Sequence, residues 1–275
     1  MPELPEVETV RRTLQNLVVG KKIADVKVHW PKIVKLPDDT EEFRMRLVGQ
    51  TIHDIQRRGK FLKFILDFDV LVSHLRMEGR YVLADQTDDY DKHTHVFFTF
   101  TDGTELRYRD VRKFGTMHVF PRGEEEKHLP LSQLGFEPLS DEFTAEILAE
   151  KVRKTKRKIK VALLDQTHIV GLGNIYVDEA LFKAKIHPEK IADQLSEEEI
   201  SLLHKAIIGT LSEAVEQGGS TIRSYVNGQG QMGMFQQSLY VYGRNKEACR
   251  ICGSEIEKNV VGGRGTHYCP DCQKR

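Results

Sequence analysis

Apolar positions change period three times along the chain. Val7, Val10, Leu14, Leu17 and Val18 recur at helical spacing and stop at Gly20, which predicts an amphipathic helix over residues 5–19. Pro5 suits its first turn, where no amide hydrogen is needed. From residue 23 to about residue 120 the pattern shortens and alternates. IADVKVHW, TIHDIQRRG, KFLKFILDF, LVSHL, HVFFTFTDG, TELRYRD and TMHVF are rich in Val, Ile, Phe and Thr and are separated by turn signals such as Asp102-Gly103. This predicts an antiparallel β-sandwich or barrel built on the first helix. Residues 123–140 carry proline and charge and read as a linker. Helical spacing returns over residues 143–216, in FTAEILAEKV, KVALLDQT, YVDEALFKA and SEEEISLLHKAIIGTLSEAVEQ, with Ser196 and Glu199 forming a capping box. Residues 218–235 are glycine-rich and read as a loop, and short strand signals follow. The expected division is 1–122, a linker 123–140, a helical domain 141–235 and a C-terminal domain 236–275, in an α+β chain.

Composition narrows the class without fixing a partner. At 275 residues, 39% hydrophobic and 30% charged, the chain is an ordinary globular one with room for two domains. No apolar run approaches the roughly 18 residues of a membrane span, and no basic-then-apolar leader opens the sequence; a cytoplasmic protein without membrane contact is expected. Lys+Arg and Asp+Glu both total 41, so net charge is silent. Distribution says more: KVRKTKRKIK, residues 151–160, carries seven basic residues in ten, while acidic clusters stand at 124–126 and 197–199. One basic face would fit a nucleic-acid partner; a solvated helix face is the plain alternative.

All four cysteines fall near the end, as Cys249-x2-Cys252 and Cys269-x2-Cys272 with sixteen residues between the pairs. That spacing is a zinc-ribbon pattern. Four thiolates would close the coordination shell, so one structural zinc is expected, with no catalytic metal and no organic cofactor. The hairpin between the pairs carries VVGGRGTHY, where glycines flanking Arg264 suit close approach to a phosphate backbone or a tight turn. A second anion grip is suggested by Gly171-x-Gly173-Asn174 ahead of a helix. It follows helix rather than strand, which rules out a dinucleotide fingerprint.

Two loops mix apolar and basic residues. LRMEGRY sets Met77 among Arg76, Glu78 and Arg80, and RDVRKFG sets Phe114 beside Arg112 and Lys113. Such groups can wedge a base stack and meet an orphaned base, or simply belong to the core. The opening MPELPE adds a reactive possibility. Once Met1 is removed, Pro2 presents a secondary amine, and α-amino groups have a reference pKa of about 7.7–8.0 against about 10.4 for lysine. The positive end of the following helix disfavours the cation further. A neutral amine there can attack a sugar C1′ and form an iminium, with Glu3 shuttling protons, Glu6 orienting groups or answering the helix dipole, and Lys60 as a charge partner. A helix start without chemistry is the alternative.

PELPEVE, RRGKFL, SHLRMEGR, RDVRKFG, QTHIVGLGNIYVDEALF, the cysteine pairs and GGRGTHYCPDCQ, in this order along essentially the whole chain, resemble the bacterial formamidopyrimidine-DNA glycosylases (8-oxoguanine-DNA glycosylase/AP lyases). The resemblance implies a helix-bearing β-sandwich, a helix–two-turns–helix domain and a zinc finger. It implies a monomeric base-excision repair enzyme acting on duplex DNA with an oxidised purine opposite cytosine, or on abasic sites, and working at the bacterial nucleoid. It implies Pro2 as nucleophile for base displacement and β,δ-elimination, Glu3 as proton donor, Glu6 as supporting acid and Lys60 as catalytic lysine. Met77, Arg112 and Phe114 would fill the void and meet the estranged cytosine. Asn174 and Arg264 would grip phosphate, with His74, Tyr242 and Lys258 as further DNA contacts. Residues 218–235 would close over the extruded base, with Glu78, Ser220, Ile222, Arg223, Ser224 and Tyr225 in lesion recognition. The sister family similar to endonuclease VIII shares the proline start but typically reads Pro-Glu-Gly-Pro, where this chain has Leu4. A zinc-ribbon DNA binder without catalysis would leave Pro2-Glu3 unexplained. The chain departs from the family in GRNKEAC, which lacks a glycine near Lys246; Asn245 is expected to take the left-handed turn there.

Overall fold

The computed structural model describes residues 1–220 and 233–274. The chain forms two compact units, residues 1–133 with 218–233, and residues 134–217 with 234–275.

The first unit opens with α1 (Leu4–Val18), which buries Leu4, Val7, Val10, Leu14 and Val18 on one face. The chain then turns at Gly20, φ 86°, where a left-handed backbone favours glycine. Strands β1 (Ile23–Val28), β2 (Val34–Leu36), β3 (Asp54–Arg58), β4 (Phe61–Ile65), β5 (Asp69–His74), β6 (Arg80–Asp85), β7 (Thr94–Phe100), β8 (Thr104–Arg109) and β9 (Thr116–Pro121) follow, with α2 (Thr40–Leu47) after β2. They form a four-stranded sheet, order β1-β7-β8-β6, and a five-stranded sheet, order β2-β9-β5-β4-β3. Val26, Phe98, Leu106, Phe64, Leu71 and Tyr81 belong to one buried cluster with the apolar face of α1. Two features differ from the sequence reading. Helix α2 lies inside the strand-rich region; Asp39 caps it and it buries only Phe43 and Leu47, too few apolar positions to betray a period. Strand β2 runs parallel to β9, in an otherwise antiparallel sandwich.

The second unit contains α3 (Ala145–Arg153), α4 (Ile159–Leu164), α5 (Asn174–Lys183) and α6 (Glu197–Glu216), then the hairpin β10 (Glu257–Val261) and β11 (Arg264–Tyr268). Ser196 and Glu199 form the expected capping box on α6. Residues 134–140, read as linker, join this unit, where Phe136 bridges to Ile169. The hairpin joins it too: β11 packs on α5, and the Gln273 side chain donates to Ile186 O at 2.9 Å. The basic run is not one bare face. It spans the end of α3, a turn and the start of α4, and Lys154, Arg157 and Lys158 pair with Glu150, Asp165 and Glu189. Lys160 is wholly buried against Asp178. Among the described residues no helix is long and apolar enough to cross a membrane.

Candidate active site and nucleic-acid interface

Glu3 and Glu6 form a capping box at the start of α1. Glu6 Oε2 accepts the Glu3 amide at 2.8 Å, and Oε1 accepts the Ser220 amide at 2.7 Å. Pro2, Glu3 and Glu6 are all buried. Gly219 has φ 79°, and a Cβ there would lie 2.7 Å from Glu6 Oε1, so this close approach admits only glycine. Ile222, Arg223, Ser224 and Tyr225 lie outside the described residues. Two positions after Glu6, the Glu8 carboxylate receives Arg11, Arg12 and, at 3.3 Å, Arg57 of β3. Burial of Glu8 favours its neutral acid, but the arginines outweigh it and hold the pKa below the usual carboxylate range. Arg57 also donates to Gly59 O at 3.0 Å. It thereby ties α1 to the β3–β4 turn, whose next residue, Lys60, is buried.

The His74–Gly79 and Asp110–Gly115 stretches follow β5 and β8. His74 Nδ1 accepts the Arg76 amide at 2.8 Å, so Nε2 carries the ring proton. Burial, then the charges of Arg76 and Lys60, lower the His74 pKa to about 3, and the ring is neutral at physiological pH. Arg76 and Lys113 adopt left-handed φ of 52° and 57°, which is costly for non-glycine residues and recurs at functional sites. Met77 and Phe114 are 37% and 51% exposed, which removes the core alternative for both. The Arg112 guanidinium lies 4.8 Å from the Phe114 ring centre, and Glu78 is half-buried. The sequence reading missed Asp110, a buried carboxylate that accepts the amides of Arg112, Phe114 and Gly115 at 3.0, 2.9 and 2.8 Å. An aspartate opening a loop that closes on glycine was the available signal.

In the second unit Gly171 takes φ 87° and Gly173 caps α5, whose first residue is Asn174. Asn174 Nδ2 donates to Gly265 O at 2.8 Å, which sets it beside Arg264 on the hairpin turn. Arg264 and Lys258 are exposed and Tyr242 is half-buried. Two further missed groups hold this region. Asp178 receives Lys160 Nζ at 2.6 Å and the His267 amide at 2.9 Å. Glu179 accepts the amides of Tyr240, Val241 and Tyr242, each at 2.9 Å. Burial raises the Glu179 pKa despite those three donors. Nothing in the sequence distinguishes these carboxylates from solvated ones.

Cys249, Cys252, Cys269 and Cys272 converge, with sulfur atoms within 4.8 Å of one another. The Cys249–Cys272 and Cys252–Cys269 separations are 3.9 and 3.4 Å, against edges of about 3.8 Å for a tetrahedron with a Zn–S bond of about 2.3 Å. The four cysteines therefore fit a structural zinc. Lys246, near which the family pattern has glycine, itself adopts φ 70°; the left-handed residue is the lysine and not Asn245.

The chain thus combines a helix-bearing β-sandwich, a helical segment with a glycine turn and a four-cysteine hairpin. The N-terminal domain of formamidopyrimidine-DNA glycosylase matches over residues 1–117, its H2TH domain over 134–226, and the zinc finger found in FPG and IleRS over 246–275. Formamidopyrimidine-DNA glycosylases of Cytobacillus firmus and Shouchella clausii are each 66% identical, across 99% and 100% of this chain and 100% of theirs. A mutant Lactococcus lactis FPG, solved in a complex with Fapy-dG-containing DNA, is 46% identical with a TM-score of 0.94 over 100% of both chains. The Lactococcus lactis Fpg bound to abasic-site DNA is 46% identical with a TM-score of 0.93, over 99% of this chain and 100% of that one. The chain belongs to the formamidopyrimidine-DNA glycosylase family.

Proposed function

We propose that the protein excises oxidised purines, 8-oxoguanine and formamidopyrimidines, from duplex DNA and then cuts the strand. The observation that carries this reading is the buried, clamped start of α1, where Glu6 fixes Glu3 and Ser220 together. With Met1 removed, the Pro2 nitrogen attacks C1′ of the damaged nucleotide. The base departs with the glycosidic electron pair and is protonated. Glu3 delivers a proton to the ring oxygen as the C1′–O4′ bond opens, leaving the Pro2 iminium. Loss of a C2′ proton expels the 3′ phosphate, and a second elimination expels the 5′ phosphate. Lys60 supplies positive charge near the reacting phosphate or base. Glu6 acts by positioning.

Met77, Phe114 and Arg112 fill the space left by the extruded base and bond to the estranged cytosine. Asn174 and Arg264 grip phosphate, supported by Lys258 and Tyr242, while His74 takes part as a neutral donor. Ser220, Ile222, Arg223, Ser224 and Tyr225, with Glu78, contact the lesion. A monomeric, cytoplasmic, nucleoid-associated state belongs to the same reading. When bound, zinc fixes the hairpin that carries Arg264 and takes no part in the chemistry.

Borohydride reduction on duplex DNA with 8-oxoguanine opposite cytosine tests the proposal. A covalent adduct is expected for the native chain and not for Pro2→Gly. Absence of any adduct would overturn the lyase reading, and a Pro2→Gly variant that traps normally would overturn the nucleophile.

A further inference from the structure

The two wedge-bearing loops share one support. Tyr108, in β8, is wholly buried, and its hydroxyl lies between Gly79, behind Met77, and Gly115, behind Phe114. A Cβ at Gly79 would stand 2.1 Å from Tyr108 Oη, and one at Gly115 only 1.8 Å. Neither glycine has a left-handed φ, so the tyrosine and not backbone strain excludes a side chain at both. Burial, and after it the Asp110 carboxylate, raise the Tyr108 pKa well above the ordinary value. The hydroxyl faces the Asp110 carboxylate, which favours the neutral phenol; a phenylalanine ring would fill the same space but lack that hydroxyl. Two residues on, Asp110 supplies three acceptor contacts across the turn that holds Lys113 left-handed. Multiple acceptor contacts of this kind maintain a strained backbone.

We propose that Tyr108 and Asp110 are positioning residues that lock the Met77 loop and the 112–114 loop into one rigid wedge, and that this rigidity sets discrimination of the base opposite the lesion. The inference rests on the reading of Met77, Arg112 and Phe114 given above. Asp110 fixes the direction in which Arg112 and Phe114 leave the turn. Tyr108 makes the two loops move together, because displacing either glycine must displace the hydroxyl that the other abuts. A base-reading arginine discriminates only when its guanidinium is held in register.

The test is single-turnover excision of 8-oxoguanine opposite cytosine and opposite adenine, by wild type, Tyr108→Phe and Asp110→Asn. Partial unfolding scales both rates alike and leaves their ratio unchanged, so the ratio reports positioning. We expect the cytosine-to-adenine ratio to fall about fivefold or more in both variants. Strand cleavage of single-stranded abasic DNA, which has no opposing base to read, should change by less than about twofold. Tyr108→Phe keeps the ring that fills the core and should fold normally, so the test stands even if Asp110→Asn is unstable. Ratios unchanged from a cytosine-preferring wild type would overturn the positioning proposal alone. A wild type without cytosine preference would overturn the reading of Arg112, and the proposal with it.

Discussion

Glu6 and Ser220, 214 positions apart in sequence, meet at 2.7 Å through a carboxylate oxygen and a backbone amide. The other oxygen holds the Glu3 amide, so one side chain accepts from two buried N–H groups. Glu6→Gln preserves size but leaves only one acceptor oxygen, with an NH2 facing the other amide. A buried donor left unpaired costs about 1–3 kcal/mol. Single-turnover base excision should fall roughly tenfold or more, on the scale of about 1.4 kcal/mol per decade, while the melting temperature drops by a few degrees. Gly219→Ala should do the same, because its Cβ would stand 2.7 Å from Glu6 Oε1 at φ 79°. An unchanged excision rate in both variants would show that this clamp is dispensable.

His74 makes stability depend on pH in a definite direction. Its pKa is lowered to about 3, and that of His118 to about 4, by burial first and then by nearby cations. In the unfolded chain both take up protons near pH 6.5. As pH falls below that value the unfolded state binds more protons than the folded one, and stability decreases. Between about pH 6.5 and roughly 4.5, before carboxylates titrate, each histidine contributes a slope of up to about 1.4 kcal/mol per pH unit. His74→Asn offers an acceptor for Arg76 without a titrating ring. Urea midpoints measured across this window should show a shallower slope in the variant; an identical slope would mean that His74 protonates freely in the fold.

Zinc removal should separate DNA binding from the folding of the β-sandwich. The four cysteines close a hairpin whose turn carries Arg264, and structural zinc contributes directly to folding. Chelation, or Cys252→Ser, should bring zinc from about one equivalent to near zero and weaken binding to an abasic duplex by about tenfold or more. The β-sandwich signal in far-ultraviolet circular dichroism should persist. Full DNA affinity in zinc-free protein, read by fluorescence anisotropy, would refute the role given to the hairpin.

The Lys160–Asp178 pair offers a stability prediction independent of catalysis. Both side chains are wholly buried, at 2.6 Å, and Lys160 also donates to Gly265 O at 3.2 Å. Lys160→Met leaves the Asp178 carboxylate without its lysine, and breaking a buried pair in this way costs about 3–5 kcal/mol. Thermal denaturation should show the loss. A variant as stable as wild type would mean that Asp178 is neutralised some other way.

Local signals carried much of the architecture. The apolar spacing from Val7 to Val18 predicted α1 because a helix face repeats within a few residues. The cysteine spacing predicted a tetrahedral site because its ligands come from two short knuckles. The mixed apolar and basic loops at Met77 and Phe114 were visible as sequence, but only their exposure separated wedge from core. The carboxylates resisted a sequence reading. Asp178 and Glu179 look like any acidic residue until distant segments deliver backbone amides to them, and Lys160 looked like part of a solvated run until the fold closed Asp178 over it. Periodicity records which face meets the core. Whether a charge is buried, and what answers it there, depends on partners brought together by tertiary structure, and desolvation makes those partners indispensable.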